Sequence, residues 1–153
     1  MDTLDATDRR LLELLQHDGK MSLQELAEAT NLSTSPCWRR IRKLEELGVI
    51  NRYVAVLDRR KLGLHAMAYV QVQLIDHSED TIGAFDRFVQ TEPQVVECAS
   101  ITGSNDYMLK VVAQDPESLE TFLLKRILRL GLVRSSHTHF MLRQTKSSTA
   151  LPV

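Results

Sequence analysis

The chain is short of several things, and each shortage closes a class of explanation. It has almost no net charge: 19 Lys and Arg against 20 Asp and Glu leave −1. That excludes DNA binding by bulk positive charge, so any nucleic-acid role must rest on local clustering. It has two cysteines, Cys37 and Cys98, with neither metal-ligand spacing nor a disulfide framework; they read as reduced, half-buried thiols of a cytosolic protein. No apolar run reaches the roughly 18 residues of a membrane span, and acids stand at the amino terminus where a signal peptide has an apolar core. A cytoplasmic protein with no membrane partner is expected.

Chemistry is also missing. The sequence suggests no Ser/His/Asp or Cys/His arrangement, no phosphate-cradling glycine loop and no paired carboxylates in a cleft, so it is not read as an enzyme. His137 and His139 alternate onto one strand face, but no third ligand stands nearby, and ordinary polar strand residues are the simpler reading. No metal and no cofactor are expected. What is present is average: 153 residues, 43% hydrophobic and 25% charged, enough for one ordinary domain or two small ones.

The most informative stretch runs from Leu32 to Ile50 and reads as one helix with two faces. At about 100° per residue, Cys37, Ile41, Leu44 and Gly48 form a narrow apolar stripe, while Ser35, Arg39, Arg42 and Lys43 lie roughly opposite. Ser33 or Thr34 can cap it, and Pro36 sits in the first turn, where a missing N–H costs nothing. Four cations, Arg39, Arg40, Arg42 and Lys43, precede the first acid, Glu45.

Two helices come before it. Asp5 with Asp8 resembles a capping arrangement, and Leu11, Leu12, Leu14 and Leu15 supply an apolar face up to the stop at Asp18-Gly19. Ser22 with Glu25 forms a capping box for a short helix with Leu23, Leu26 and Ala27 inward, and Asn31 suits a left-handed turn. Two helices joined by a few residues, the second basic and outward-facing, make a helix-turn-helix. Val49 to Leu57 is rich in β-branched residues and predicts the strands of a wing, from which Arg52 and Tyr53 reach a phosphate.

Residues 58–64 read as a linker, whose basic run is a solvated connector. Beyond it, Ala68–Leu74 alternates with Val70, Val72 and Leu74 on one face. Ser78 caps a helix carrying Ile82, Phe85 and Val89, which stops near Pro93. Val95–Ile101 and Tyr107–Ala113 are strands. Asp115-Pro116 opens a helix with Leu119, Phe122, Leu123, Ile127 and Leu130 inward, and Val133–Lys146 alternates as a last strand. The tail after Thr145 is expected to be loosely held. The prediction is an α+β chain: a winged helix-turn-helix over residues 1–57, then a ferredoxin-like βαββαβ domain over residues 65–153. A sheet with helices on one face leaves the other (Tyr69, Gln71, Gln73, Met108, Lys110, Val112) to be covered, most economically by a second copy.

Leu4-Asp5-x-x-Asp8, Leu32-Ser-Thr-Ser-Pro-Cys37, Arg42-x-Leu44-Glu45-x-x-Gly48-Val-Ile50 and Thr102-Gly103-x-x-Asp106-Tyr107 together resemble the Lrp/AsnC family, the leucine-responsive and asparagine, or feast/famine, regulators. The resemblance spans essentially the whole chain. It implies an oligomer of dimers, tetrameric or octameric, that binds promoter DNA and takes an amino acid as effector. It places the effector at Thr102, Gly103, Asp106 and Tyr107, between dimers, with Ser135, Ser136 and Thr138 as secondary candidates. Physically, glycine lets backbone N–H groups approach a carboxylate and an aspartate pairs with an α-ammonium; alone, the same residues would read as a hairpin turn. One departure stands out: where the family usually has Leu-Pro-Gly-Val, this chain has Leu130-Gly131-Leu132-Val133, close to the implied pocket.

For DNA, the leading end of the basic helix (Ser33, Thr34, Ser35, Pro36) is expected at base edges. Arg39 and Arg42 would grip guanine, and Lys43 a phosphate. Arg40, on the stripe's flank, suits an ion pair with a neighbouring helix. Trp38 lies on the other flank, where packing is the commoner role and a DNA contact the alternative. The function expected is a sequence-specific, ligand-responsive regulator of amino-acid metabolism genes. The alternative is a nucleoid-type organiser without an effector; an enzyme-regulatory subunit leaves the basic helix unexplained.

Overall fold

A computed structural model describes residues 4–153; residues 1–3, with which the expected first domain begins, lie outside the described residues. The chain divides into two compact units: residues up to Val56 together with Lys146–Val153, and Leu57–Thr145.

The first unit holds three helices, α1 (Ala6–His17), α2 (Leu23–Ala29) and α3 (Thr34–Glu46). Both capping boxes form. Asp5 accepts from the Asp8 N–H at 2.8 Å while Asp8 accepts from the Asp5 N–H, and Ser22 and Glu25 exchange the same pair of bonds. These side chains satisfy amides that the first helical turn leaves without partners. Asn31 takes the left-handed conformation, φ 54°, that turns α2 into α3. Leu11, Leu26, Ala27 and Cys37 form the buried centre, flanked by Leu14, Leu15, Met21, Leu23, Leu32 and Ile41.

α3 is shorter than the sequence suggests. It stops at Glu46, and Gly48 at φ 70° is the left-handed residue that ends it. The Gly48 and Val49 N–H groups return to the Glu45 and Leu44 carbonyls, both at 2.9 Å. This 5→2 and 6→1 pair needs positive φ, which glycine supplies without a Cβ penalty. Gly48 therefore terminates the helix instead of extending its apolar stripe.

The expected wing strands do not form. Residues 51–58 run without strand pairing, and Arg52 through Leu57 are exposed. β-branched residues favour a strand only where a neighbour completes the ladder and covers a face, and no described strand does so here. The tail also differs from expectation. The Gln16 carboxamide accepts from the Leu151 N–H at 2.6 Å and donates to the Leu151 carbonyl at 3.1 Å, seating the tail on α1.

The second unit is a four-stranded antiparallel sheet, β1 (Ala66–Leu74), β2 (Val95–Ser100), β3 (Tyr107–Ala113) and β4 (Val133–Phe140), in the order β2-β3-β1-β4. Helices α4 (Glu79–Thr91) and α5 (Pro116–Phe122, continuing to Leu130) supply the remaining elements of the ferredoxin-like βαββαβ order. Ser78 caps α4 and Asp115 caps α5. Alternation is read correctly: Val70, Val72 and Leu74 of β1 and Leu109 and Val111 of β3 are buried with Phe85, Leu119, Phe122 and Ile127. Val112, although on the opposite face, is buried as well, and its backbone exchanges hydrogen bonds with Gln94.

Two boundaries move. After Phe122 the helix widens into a π turn, Leu123–Ile127, and then tightens over Leu128–Leu130. Phe122 and Ile127 are five residues apart and both buried; a π turn keeps that spacing on one face, where α geometry would rotate it away. β4 ends at Phe140, well short of Lys146, because its partner runs out. Phe140 pairs with Ala68, the Met141 N–H reaches the Met67 carbonyl, and β1 begins at Ala66.

Candidate functional site

The recognition-helix residues fall into three groups. Arg39 is exposed and has no hydrogen bond or ion pair among the described residues. Arg42 is exposed but braced: its guanidinium lies 3.4 Å from Glu45 and 3.9 Å from Glu46, and 5.9 Å from the Trp38 ring centroid. Trp38 is itself 53% exposed, so the packing role is set aside; a flat apolar surface stands beside two arginines on the outer face. Lys43 is exposed on the same face.

Arg40 behaves as its flank position suggests. One of its nitrogens lies 2.6 Å from Asp5 and 2.7 Å from Asp8, the two capping carboxylates of α1. The Asp5 carboxyl is held below its ordinary range, first by the Asp8 amide and then by Arg40, and the Arg40 guanidinium is raised in turn. Its charge serves the junction of α1 and α3.

At the helix's leading end, Ser33 is the cap residue by backbone geometry, yet its side chain makes no capping bond. Ser33, Thr34 and Ser35 are exposed and Pro36 is partly so. Arg52 is exposed too. The Tyr53 hydroxyl donates to Glu45 at 3.3 Å, and burial of the ring, then Glu45, raises its pKa. Tyr53 is thus tied to α3 instead of projecting from a wing.

The second group surrounds the β2–β3 connection. Thr102 and Gly103 are exposed, and Gly103 adopts φ 116°, with open space where a Cβ would point. Only glycine takes that backbone readily, and it leaves the peptide groups accessible. Asp106 ties the loop to the end of β1. Its N–H donates to the Val72 carbonyl, its Oδ2 accepts from the Leu74 N–H at 2.7 Å, and its Oδ1 lies 2.8 Å from His77 Nε2. These bonds, His77 first and the Leu74 amide second, hold the Asp106 carboxyl below the ordinary range; the Arg134 charge adds to them.

Asp106 is therefore engaged within the protein, not simply a bare anion awaiting an ammonium group. Tyr107 turns the other way. Its ring packs on Phe85 at 4.7 Å and its hydroxyl donates to Asp86, so its side chain belongs to the core and lies off the loop's surface. Ser135 faces outward opposite Gln73 and donates to it at 3.2 Å. Ser136 and Thr138 pair with Val72 and Val70 in β1, on the helix-facing side. The three strand candidates are thus divided between two faces.

Residues that sequence reasoning missed complete the neighbourhood. His77 and Arg134 flank Asp106, the latter also donating to the Ile75 carbonyl. Asn105, buried, donates to Gln71 at 3.1 Å. His77 and Arg134 lie in no recognisable motif, and Asn105 fills an unspecified position of Gly103-x-x-Asp106; the return of β1 and β4 to the same sheet end brings them together. The departing turn is there as well: the Ile75 N–H bonds the Leu132 carbonyl, and Gly131 sits at φ 69°. Among the described residues, no three His, Cys, Asp or Glu side chains gather in a way that would hold a metal.

A helix-turn-helix with an outward basic helix, continuous in one chain with a ferredoxin-like domain bearing an open glycine loop, defines a DNA-binding regulator of the one-component type. Family comparison is specific: residues 4–51 match the winged helix-turn-helix DNA-binding model and residues 67–151 the Lrp/AsnC ligand binding domain. The chain belongs to the Lrp/AsnC family of transcription regulators. It is 36% identical to the DNA-binding transcriptional activator DecR of Escherichia coli, over 98% of this chain and 99% of that protein. It is 37% identical to the glutamate uptake regulatory protein of Zymomonas mobilis, over 98% and 91%. A transcriptional regulator of Neisseria meningitidis, solved as a complex with L-methionine, superposes with TM-score 0.95 at 33% identity, covering 98% of this chain and 97% of that one.

Proposed function

We propose that the protein controls amino-acid metabolism genes in the cytoplasm as a nucleoid-associated oligomer whose promoter binding responds to an amino acid. The observation that carries this is the Gly103 loop: an accessible backbone at positive φ beside an anchored carboxylate, at the end of the sheet where β1, β3 and β4 meet. Such a loop offers amides to a carboxylate and the field of an anchored carboxylate to an ammonium, the two charged groups of an amino acid. The solved relative with L-methionine supports the ligand class.

On the DNA side, Ser33, Thr34, Ser35 and Pro36 lead α3 into the major groove, and Arg39, Trp38 and Arg42 meet bases or sugars. Lys43 and Arg52 take phosphates. A single such helix reads too little sequence for a promoter, so a dimer supplies the second copy. The exposed extended segment with Val54 and Val56, 64% and 76% accessible, and the half-covered outer face of the sheet are the surfaces a second chain would cover. Dimers assembling into tetramers or octamers would place the effector between them, and a ligand preferring one assembly would shift promoter affinity by a coupling of about 1–3 kcal/mol.

The test is a thermal-shift screen of the twenty L-amino acids on the full chain, followed by promoter-fragment binding with and without each hit. At least one amino acid should raise the midpoint and change DNA affinity several-fold. Specific promoter binding with no response to any amino acid would reject the effector assignment in favour of a DNA-organising role.

A further inference from the structure

We infer that His77 is a ligand-contacting residue of the effector site, receiving the α-ammonium of an amino acid, and that Asp106 is its positioning residue. The inference rests on the proposed amino-acid response and names the side chain that the loop motif alone does not contain. His77 follows β1 directly, and 69% of its side chain is accessible. Its Nε2 lies 2.8 Å from Asp106 Oδ1, and the other ring nitrogen has no hydrogen-bond partner among the described residues.

Asp106 is fixed from both sides. The Leu74 amide holds Oδ2 and the Asp106 N–H is bound to Val72, so the carboxylate cannot swing away from the ring. An ionised carboxylate is acceptor-only, so Nε2 carries the proton facing it. In the neutral ring this leaves Nδ1 as a lone-pair acceptor turned to solvent. An ammonium group is a donor with three protons. It can bond Nδ1 and lie within the field of Asp106, while the α-carboxylate, on the same carbon, turns toward the Gly103 amides and Arg134. Ligand protons thus meet an acceptor that Asp106 orients, and negative charge meets the loop and the guanidinium.

The arrangement makes a pH statement. Protonation of His77 puts a hydrogen on Nδ1, converting the acceptor into a donor that repels an ammonium. The charged groups facing His77 are Asp106 from the β2–β3 loop and Asp76 beside it; Arg134 of β4 acts on Asp106. Ligand affinity should therefore fall once the ring is protonated.

Calorimetry on the full protein tests this, using L-methionine and any other of the twenty amino acids that binds, with the N-acetyl derivative of each. The expected results are a loss of at least tenfold in affinity for His77→Ala and for every N-acetyl derivative, with promoter binding in the absence of ligand unchanged. His77→Gln keeps a donor for Asp106 and an acceptor for the ligand but does not titrate. It should retain binding within a few-fold and lose the weakening of binding in acid. Asp106→Asn should weaken binding and change its acid dependence, whereas a merely structural lesion would weaken binding alike at every pH. Wild-type affinity in His77→Ala, or equal binding of the N-acetyl derivative, would overturn the inference while leaving the amino-acid response standing. If none of the twenty binds the wild-type protein, the reading beneath it fails and the inference falls with it.

Discussion

The Arg40 guanidinium of α3 lies 2.7 Å from the Asp8 carboxylate that closes the capping box of α1. Its contact with Asp5 makes the same cation hold both members of that box. The recognition helix is thus oriented by the first turn of α1, and one of its four cations is engaged at that junction. Arg40→Ala is expected to lower the thermal midpoint of the helix-turn-helix and to weaken promoter binding without altering its salt dependence. Circular dichroism melting beside a salt series of anisotropy titrations checks both. A lower salt slope with an unchanged midpoint would return Arg40 to the DNA surface.

Arg39 and Arg42 should behave in the opposite way. Both are exposed on the outer face of α3, and each counterion released by a phosphate contact contributes about 0.9 to the slope of log K against log salt. An arginine bonded to a guanine instead carries about 1–3 kcal/mol of discrimination against the wrong base. Arg39→Ala with Arg42→Ala should leave oligomer size and melting unchanged and weaken binding. A uniform loss across DNA sequences with a smaller slope identifies phosphate contacts. A loss confined to the specific site identifies base contacts. Unchanged affinity removes both residues from the interface.

Acid should unfold the helix starts together. Asp5, Glu25, Asp76 and Asp115 stand in or just before the first turns of α1, α2, α4 and α5, and each has a carboxyl held below its ordinary value, chiefly by amide or hydroxyl donors of the cap. A folded-state pKa below the unfolded one contributes stability that is full above the unfolded value and is lost as pH falls through the folded one. The unfolded values are 3.8 for aspartate and 4.5 for glutamate. Stability due to these caps should therefore hold on acidification through pH 5 and decline below about pH 4.5. Chemical denaturation at stepped pH measures it, and the double variant Asp5→Asn, Asp115→Asn should show a shallower decline.

The elements that could be read from the sequence are those whose cause is local. Capping boxes, the Asn31 turn and the alternation of β1 and β3 each depend on residues within a few positions. Readings failed where the cause lay in a distant partner. Val49–Leu57 has the composition of a strand, but a ladder needs a neighbour. Val133–Lys146 alternates throughout, yet pairs only as far as β1 extends. Gly48 continues the arithmetic of the apolar stripe, but positive φ makes it a stop. In the proposed effector region, Gly103 and Asp106 are visible as a motif. His77 and Arg134 are not, because they join Asp106 only through the pairing of β1 with β3 and β4, and strand alternation turns the Tyr107 side chain to the core.

Gly131 is the clearest case of a sequence departure acquiring a physical meaning. It occupies φ 69° at the end of the α5 extension, in the left-handed region, with nothing within 4 Å of where a Cβ would stand. The constraint is therefore backbone conformation and not space. Gly131→Ala should cost about 1–2 kcal/mol, the left-handed penalty of an L-residue, and Gly131→Asn less, because its side chain bonds locally in that region. A proline is confined to φ near −65°, so Gly131→Pro, which brings the turn nearer the commoner family pattern, cannot keep this geometry. The turn is joined to the proposed effector region through the Leu132 carbonyl and the Ile75 N–H, two residues before His77. Gly131→Pro should therefore lower the thermal midpoint more than Gly131→Ala and weaken amino-acid binding, while Gly131→Ala affects stability with little change in ligand affinity. A Gly131→Pro variant with wild-type stability and ligand affinity would show that the turn tolerates either backbone, and that the departure from the family pattern is neutral.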